Sequence, residues 1–132
     1  MTVGPLPEPD LESALWWDGL RDHRILLQQC AACDRPRFPP MPSCPWCGST
    51  LSRVVESTGR GTVYSFVTAH VPISPGYESA LPYTVATVEL AEGPRLLGRV
   101  EPPVPVAVGD RVTPQFATHA SWTELFFAPD VT

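Results

Sequence analysis

All four cysteines of this chain fall inside one short stretch, "CAACDRPRFPPMPSCPWCG", from Cys30 to Gly48. Their spacing is C-x2-C-x10-C-x2-C. Two residues between paired cysteines let both sulfurs reach one ion from a single tight turn, and two facing turns supply a tetrahedral set of thiolates. That donor set suits a divalent zinc ion and closes its coordination sphere. Cys30, Cys33, Cys44 and Cys47 are therefore the predicted ligands of a structural zinc. A redox dithiol needs only one such pair, so the second pair argues against it. Catalytic zinc needs an open position, which four cysteines do not leave. Iron in the same cage stays open on thiolates alone, although the ten-residue spacer reads as a compact zinc ribbon.

Gly48, directly after Cys47, is placed for the tight turn that closes a metal knuckle. The loop between the pairs, "DRPRFPPMPS", is stiffened by proline and presents Arg35, Arg37 and Phe38. Two readings of it stand side by side. Four thiolates on one dication carry a charge of about −2, which the arginines would offset while Phe38 packs beneath the ribbon. Alternatively the guanidinium forks meet a phosphate or an acidic partner.

The other 113 positions describe one modest globular unit in a chain of 132 residues, with 43% hydrophobic and 17% charged side chains. Seventeen prolines punctuate several loops and favour short strands over long helices. The net charge is −5, and all nine basic residues are arginine, a poor footing for binding a nucleic-acid backbone. No apolar run reaches the roughly 18 residues of a membrane span, and "MTVGPLPEPD" lacks the basic start and apolar run of a signal peptide. The expectation is a cytoplasmic protein, where paired Cys-x-x-Cys motifs bind metal rather than form disulfides.

A helix is expected over residues 10–22, "DLESALWWDGLRD", with Asp10 as its N-cap. Trp16 and Trp17 are adjacent, so they point different ways, and one of them is expected to seek another surface. "RILLQQC" reads as a strand entering the cysteine region. "SRVVEST", "GTVYSFVTAHV", "YTVATVEL", "LLGRVE", "RVTPQFATHA" and "TELFFAP" follow as short strands separated by turn residues. That rhythm indicates a small barrel or sandwich.

A tryptophan-bearing helix, a four-cysteine ribbon and a small β-barrel, in that order, resemble the family known as domain of unknown function thirty-five. "CPWCG" is similar to a rubredoxin-type knuckle. "LLQQCAACDRPRFPP", "CPWCGS", "GRGTVYSFVTAH", "PYTVATVELAEGPRLLGRV" and "VGDRVTPQF" carry the resemblance, across most of residues 25–116. It implies a mainly β fold: an N-terminal arm and helix (1–24), a rubredoxin-like zinc ribbon (25–52) and a five-stranded OB-fold barrel (53–132). It also implies an accessory subunit in acyl-CoA metabolism. Such a subunit sits beside thiolase-like proteins, including aldolases that cleave steroid side chains, and in some pathways beside hot-dog hydratase domains. The partner would carry the chemistry, while this subunit stabilises it and helps to hold or pass the CoA ester.

The residues fit that picture. His23, His70 and His119 lie in unrelated contexts, no nucleophile motif occurs, and every cysteine is in the ribbon, so independent catalysis has no visible machinery. Glu56, Glu89 and Glu101 stand singly and are read as solvated. Trp16, Trp17, Phe38 and Tyr77 are candidates for a partner interface, being aromatic side chains on a helix and on rigid loops. The nucleotide end of CoA is anionic, which makes Arg35, Arg37, Arg53 and Arg60 candidates to meet it. The competing class is a single-strand nucleic-acid binder, because OB-folds often present stacking aromatics. Against it, residues 53–132 hold five arginines and eight acidic residues.

Overall fold

The computed structural model describes residues 7–72, 78–102 and 104–130. The single α-helix among the described residues, α1, runs Ala14–Arg21. It begins later than expected because Asp10 caps the preceding turn: the Ser13 N–H donates to Asp10 Oδ1 (2.7 Å), and the Asp10 N–H donates to Ser13 Oγ (3.0 Å). At the other end the Arg24 N–H reaches Gly19 O (2.8 Å) and the His23 N–H reaches Leu20 O (2.8 Å). This paired closure puts one residue in the left-handed region, usually glycine. Here it is His23, φ 58°, whose ring stacks on Phe116 at 4.8 Å. That stacking, with Thr118 Oγ1 3.3 Å from His23 Nε2, gives this histidine a structural occupation.

Two sheets follow. In the first, β1 (Ile25–Cys30) lies between β2 (Pro36–Arg37) and β3 (Ser52–Ser57), both antiparallel to it. The second has the order β6-β5-β4-β7-β8, formed by β4 (Gly61–Ala69), β5 (Tyr83–Leu90), β6 (Arg95–Arg99), β7 (Arg111–Thr118) and β8 (Thr123–Pro129). It curls until β6 meets β8, but the closure is a single parallel bridge, Val100 to Phe127, so the barrel remains an open sheet with one stitch. Two short elements escaped the sequence pattern. β2 has only two residues, held by pairing with Gln28 and Gln29, and Glu78–Ala80 form one 3-10 turn.

One core serves both sheets. Trp16 and Leu20 of α1 and Ile25 and Leu27 of β1 are continuous with Val63, Val88, Leu96, Val112 and Phe127 of the barrel. Phe127 is fully buried, and its ring lies 2.8 Å from where a Cβ on Gly98 would sit, so that glycine is the space the ring occupies. The ribbon and barrel meet at Ser57–Gly61. The Glu92 carboxylate, in the β5–β6 turn, accepts from Ser57 Oγ (2.6 Å) and from the Thr58 N–H (3.1 Å). Gly59 then turns the chain with φ 76°, and a Cβ there would lie 2.5 Å from Pro114 and 2.6 Å from Ile25.

Two predictions follow from this joint. Gly59→Ala forces a left-handed alanine against two packed side chains, and is expected to cost about 2–4 kcal/mol in denaturant unfolding. Unchanged stability would show that the joint relaxes freely. For Glu92, partial burial opposes the charged form, but hydrogen bonds from Ser57 and Thr58 together outweigh it and draw its titration below the ordinary 4.5. A depressed native value means that the contribution is complete above about pH 4.5 and fades as pH falls through the native value. Glu92→Gln should therefore flatten the acid limb of Tm against pH. An acid limb of unchanged steepness would remove Glu92 from that role.

Candidate metal centre and the cleft beside it

The two Cys-x-x-Cys turns are built alike. In the first, the Ala32 and Cys33 N–H groups point at Cys30 Sγ (3.3 and 3.4 Å), the Asp34 N–H donates to Cys30 O (3.0 Å), and Asp34 is left-handed, φ 65°. In the second, the Trp46 N–H points at Cys44 Sγ (3.4 Å), the Gly48 N–H donates to Cys44 O (2.9 Å), and Gly48 has φ 80°. The glycine expected to close the second knuckle does so, and Asp34 is its counterpart in the first. The four Sγ atoms lie within 4.8 Å of one another. Cys30 and Cys47 are 3.5 Å apart at sulfur, Cys33 and Cys44 3.7 Å. A tetrahedral ion with sulfur at 2.3 Å needs sulfur–sulfur edges of about 3.8 Å, so the residues fit a tetrathiolate metal ion. The amides also favour thiolate. The Cys33 N–H foremost, then the Ala32 N–H and the Cys47 and Cys33 thiols, outweigh burial and hold the Cys30 thiol down to about 6, while the Cys30, Cys44 and Cys33 sulfurs around Cys47 push that thiol up to about 11.

β1 delivers Cys30 at its last residue, and the Cys30 N–H is taken by Arg35 O (3.0 Å). The loop between the knuckles is tied by Arg37, which is 2% exposed. Its Nε donates to Gln28 Oε1 (3.0 Å) and its Nη2 to Met41 O (3.2 Å), while Gln28 Oε1 also accepts the Met41 N–H (2.9 Å). Its Nη1 is buried with no partner among the described residues.

Between ribbon and barrel lies a cleft of about 440 Å³. Arg35, Arg37, Phe38 and Trp46 line it from the ribbon, and Glu89, Glu92 and Arg95 from the barrel. Arg35 lies over the Trp46 ring at 5.3 Å and Arg95 over Tyr64 at 3.7 Å. Of the four arginines expected to meet an anion, the structure brings Arg35 and Arg37 together here. Arg53 is instead bound to Asp34 and Gln29, and Arg60 is exposed and absent from the cleft lining. Sequence reasoning missed Arg95. Its signal was register: β6 places it opposite Glu89, with Nε 3.0 Å from the carboxylate.

Glu56, Glu89 and Glu101 are not free carboxylates. Each pairs with an arginine, Arg24, Arg95 and Arg99 respectively. His119 lies 3.4 Å from Glu124 and packs on Trp122, whereas His23 lies at the helix end. Trp16 is 7% exposed, with its ring 4.6 Å from Phe38, and Phe38 is half-buried on the core. Trp17 turns the other way, edge-on to Trp122 at 6.2 Å. The adjacent tryptophans thus diverge as expected, but both land on the chain itself, because α1 packs against β1 on one side and β8 on the other. Trp16 therefore serves the core, and Phe38 packs against it while also facing the cleft. Tyr77 lies outside the described residues.

The family model for the ChsH2 rubredoxin-like zinc ribbon domain matches residues 17–52, and the model for the ChsH2 C-terminal OB-fold domain matches residues 54–117. This chain belongs to the ChsH2 (DUF35) family. A solved structure described as "Ltp2-ChsH2(DUF35) aldolase" contains a chain 37% identical, covering 94% of this chain and 98% of that one, with a TM-score of 0.85. A probable enoyl-CoA hydratase alpha subunit of Thermomonospora curvata is 45% identical over 93 residues, 70% of this chain and 28% of that protein. The 3-oxo-4,17-pregnadiene-20-carboxyl-CoA hydratase alpha subunit of Mycobacterium tuberculosis is 36% identical over 126 residues, 94% of this chain and 40% of that protein. The chain thus spans well under half the length of these two curated relatives.

The metal reading predicts that Cys44→Ser releases the ion and melts the ribbon, because a thiolate site of this kind supplies on the order of 10 kcal/mol of apparent binding free energy. Metal stoichiometry by elemental analysis, read beside the melting curve, checks it. Retained metal with an unchanged Tm contradicts it.

Proposed function

We propose that this chain is a non-catalytic accessory subunit of a thiolase-fold acyl-CoA enzyme, an aldolase or thiolase, with a structural zinc in its ribbon. The observation that carries the reading is the fold match along nearly the whole chain to a chain of the Ltp2-ChsH2(DUF35) aldolase. The hydratase alpha subunits among its relatives add acyl-CoA esters as the substrate class. Cys30, Cys33, Cys44 and Cys47 hold the ion, whose contribution is rigidity: with four thiolates bound it keeps no open position for substrate.

The cleft beside the ribbon is the place where this subunit meets the nucleotide end of the CoA ester. The lining sets Arg35, Arg37 and Arg95 against the carboxylates of Glu89, paired to Arg95, and Glu92, held by Ser57 and Thr58, which leaves an excess of positive charge on the ribbon wall. The Trp46 ring offers a stacking face beside that charge. Arg35 contacts the phosphates directly, and Arg37 sets the local potential from within the loop.

The test mixes the purified chain with Ltp2, the protein named beside ChsH2 in the solved aldolase structure. Co-elution is expected, with thioester cleavage by the pair and none by this chain alone. Arg35→Ala should raise KM for the CoA ester several-fold with kcat little changed. Turnover of an acyl-CoA by the isolated chain would overturn the accessory role.

A further inference from the structure

β4, Gly61–Ala69, is the longest strand among the described residues, and among them only its beginning has neighbours on both sides. Gly61 and Thr62 pair with Val112 and Arg111 of β7. Val63 is closed off by the backbone of Asp110 and Gly109, at 2.8 Å each. A register shift between Val63 and Ser65 then carries the strand away from β7. From Ser65 to Ala69 it pairs with β5 alone, and no other strand of the described residues lies along its second edge.

An uncovered edge is a row of unpaired backbone donors and acceptors, which proteins ordinarily guard with charge, proline or brevity. The run "GTVYSFVTAHV", Gly61–Val71, contains no Asp, Glu, Lys, Arg or Pro. β3, the long edge strand of the ribbon sheet, is guarded by Arg53 and Glu56. The side chains of distal β4 are also out of the core on both faces. Tyr64 is 51% exposed, Phe66 39% and Val67 64%, and Val71 just beyond is 70% exposed. Such a strand, half in the barrel and half projecting from it, is an incomplete sheet.

We propose that the Ser65–Ala69 edge of β4 is the surface on which the enzyme partner docks, by adding an extended segment of apolar, uncharged or basic side chains as a further strand. This rests on the accessory-subunit reading above and says where that contact lies. Backbone pairing gives the contact its affinity, and the exposed aromatic and valine side chains select the residues that face them. Charge favours a different protein over a second copy. Each chain carries −5, so two copies joined at one short edge repel, and an uncharged or basic segment does not.

Hydrogen exchange read by mass spectrometry, with Ltp2 as the probe, tests this. Within residues 65–69, the amides that point away from β5 should exchange quickly in the free chain and gain protection on complex formation. Val67→Lys, at an already exposed position, should keep its melting curve and weaken Ltp2 binding at least tenfold, whereas Val67→Thr should bind like the parent. Protection gained elsewhere with residues 65–69 unchanged would overturn this inference and leave the accessory role standing. Failure of the parent chain to bind Ltp2 at all would overturn both. A dimer of the chain alone that Val67→Lys dissolves would replace the partner with a second copy.

Discussion

Four sulfur atoms brought to one point organise this chain. The loop that carries three of them, residues 31–51, contains just two residues of regular strand. Its buried side chains are few: Cys44 and Arg37, with Cys30 at the end of β1. So little apolar burial does not offset the conformational entropy of ordering a loop of that length, and a metal–thiolate cage does. Once the cage is set, β1 is fixed at its end. Through Ile25 and Leu27 it fixes the floor on which α1 lies, and through β3 it fixes the joint at Gly59.

The function proposed above follows from what that rigidity holds apart. Arg37 is locked by Gln28 and Met41, so the ribbon wall of the cleft arrives pre-formed, with a buried guanidinium behind Arg35. The barrel wall is held by the Glu92 clip to Ser57 and Thr58. Neither wall brings together a nucleophile and a base, and the chain's thiols are committed to the cage. In the proposed function, this site positions an anion and the bond-breaking belongs to another active centre. The free half of β4 complements it as a place for the protein that owns that centre.

The sequence was most readable where the signal was local. The cysteine spacing assigned all four convergent sulfurs, and the alternation in "YTVATVEL" and the composition of "TELFFAP" located β5 and β8 to the residue. The helix start was misplaced because Asp10 and Ser13 cap each other across a turn before the first helical residue, and that reciprocal pair resembles an ordinary N-cap in sequence. Long-range facts were not readable. Pairing between Arg95 and Glu89 depends on the β5–β6 register, and the burial of Trp16 on Phe38 depends on how the ribbon loop folds back over α1. Distal β4 looked like an ordinary strand, since its alternation gave no sign that, among the described residues, its second edge has no neighbouring strand.

The cage itself is open to direct inspection. X-ray absorption at the zinc edge of the purified chain reads ligand identity and distance without requiring any partner or substrate. The account predicts one zinc per chain with four sulfur scatterers at about 2.3 Å and no nitrogen or oxygen in the coordination sphere. A site with an oxygen or nitrogen ligand, or a folded chain that carries no metal, would contradict it.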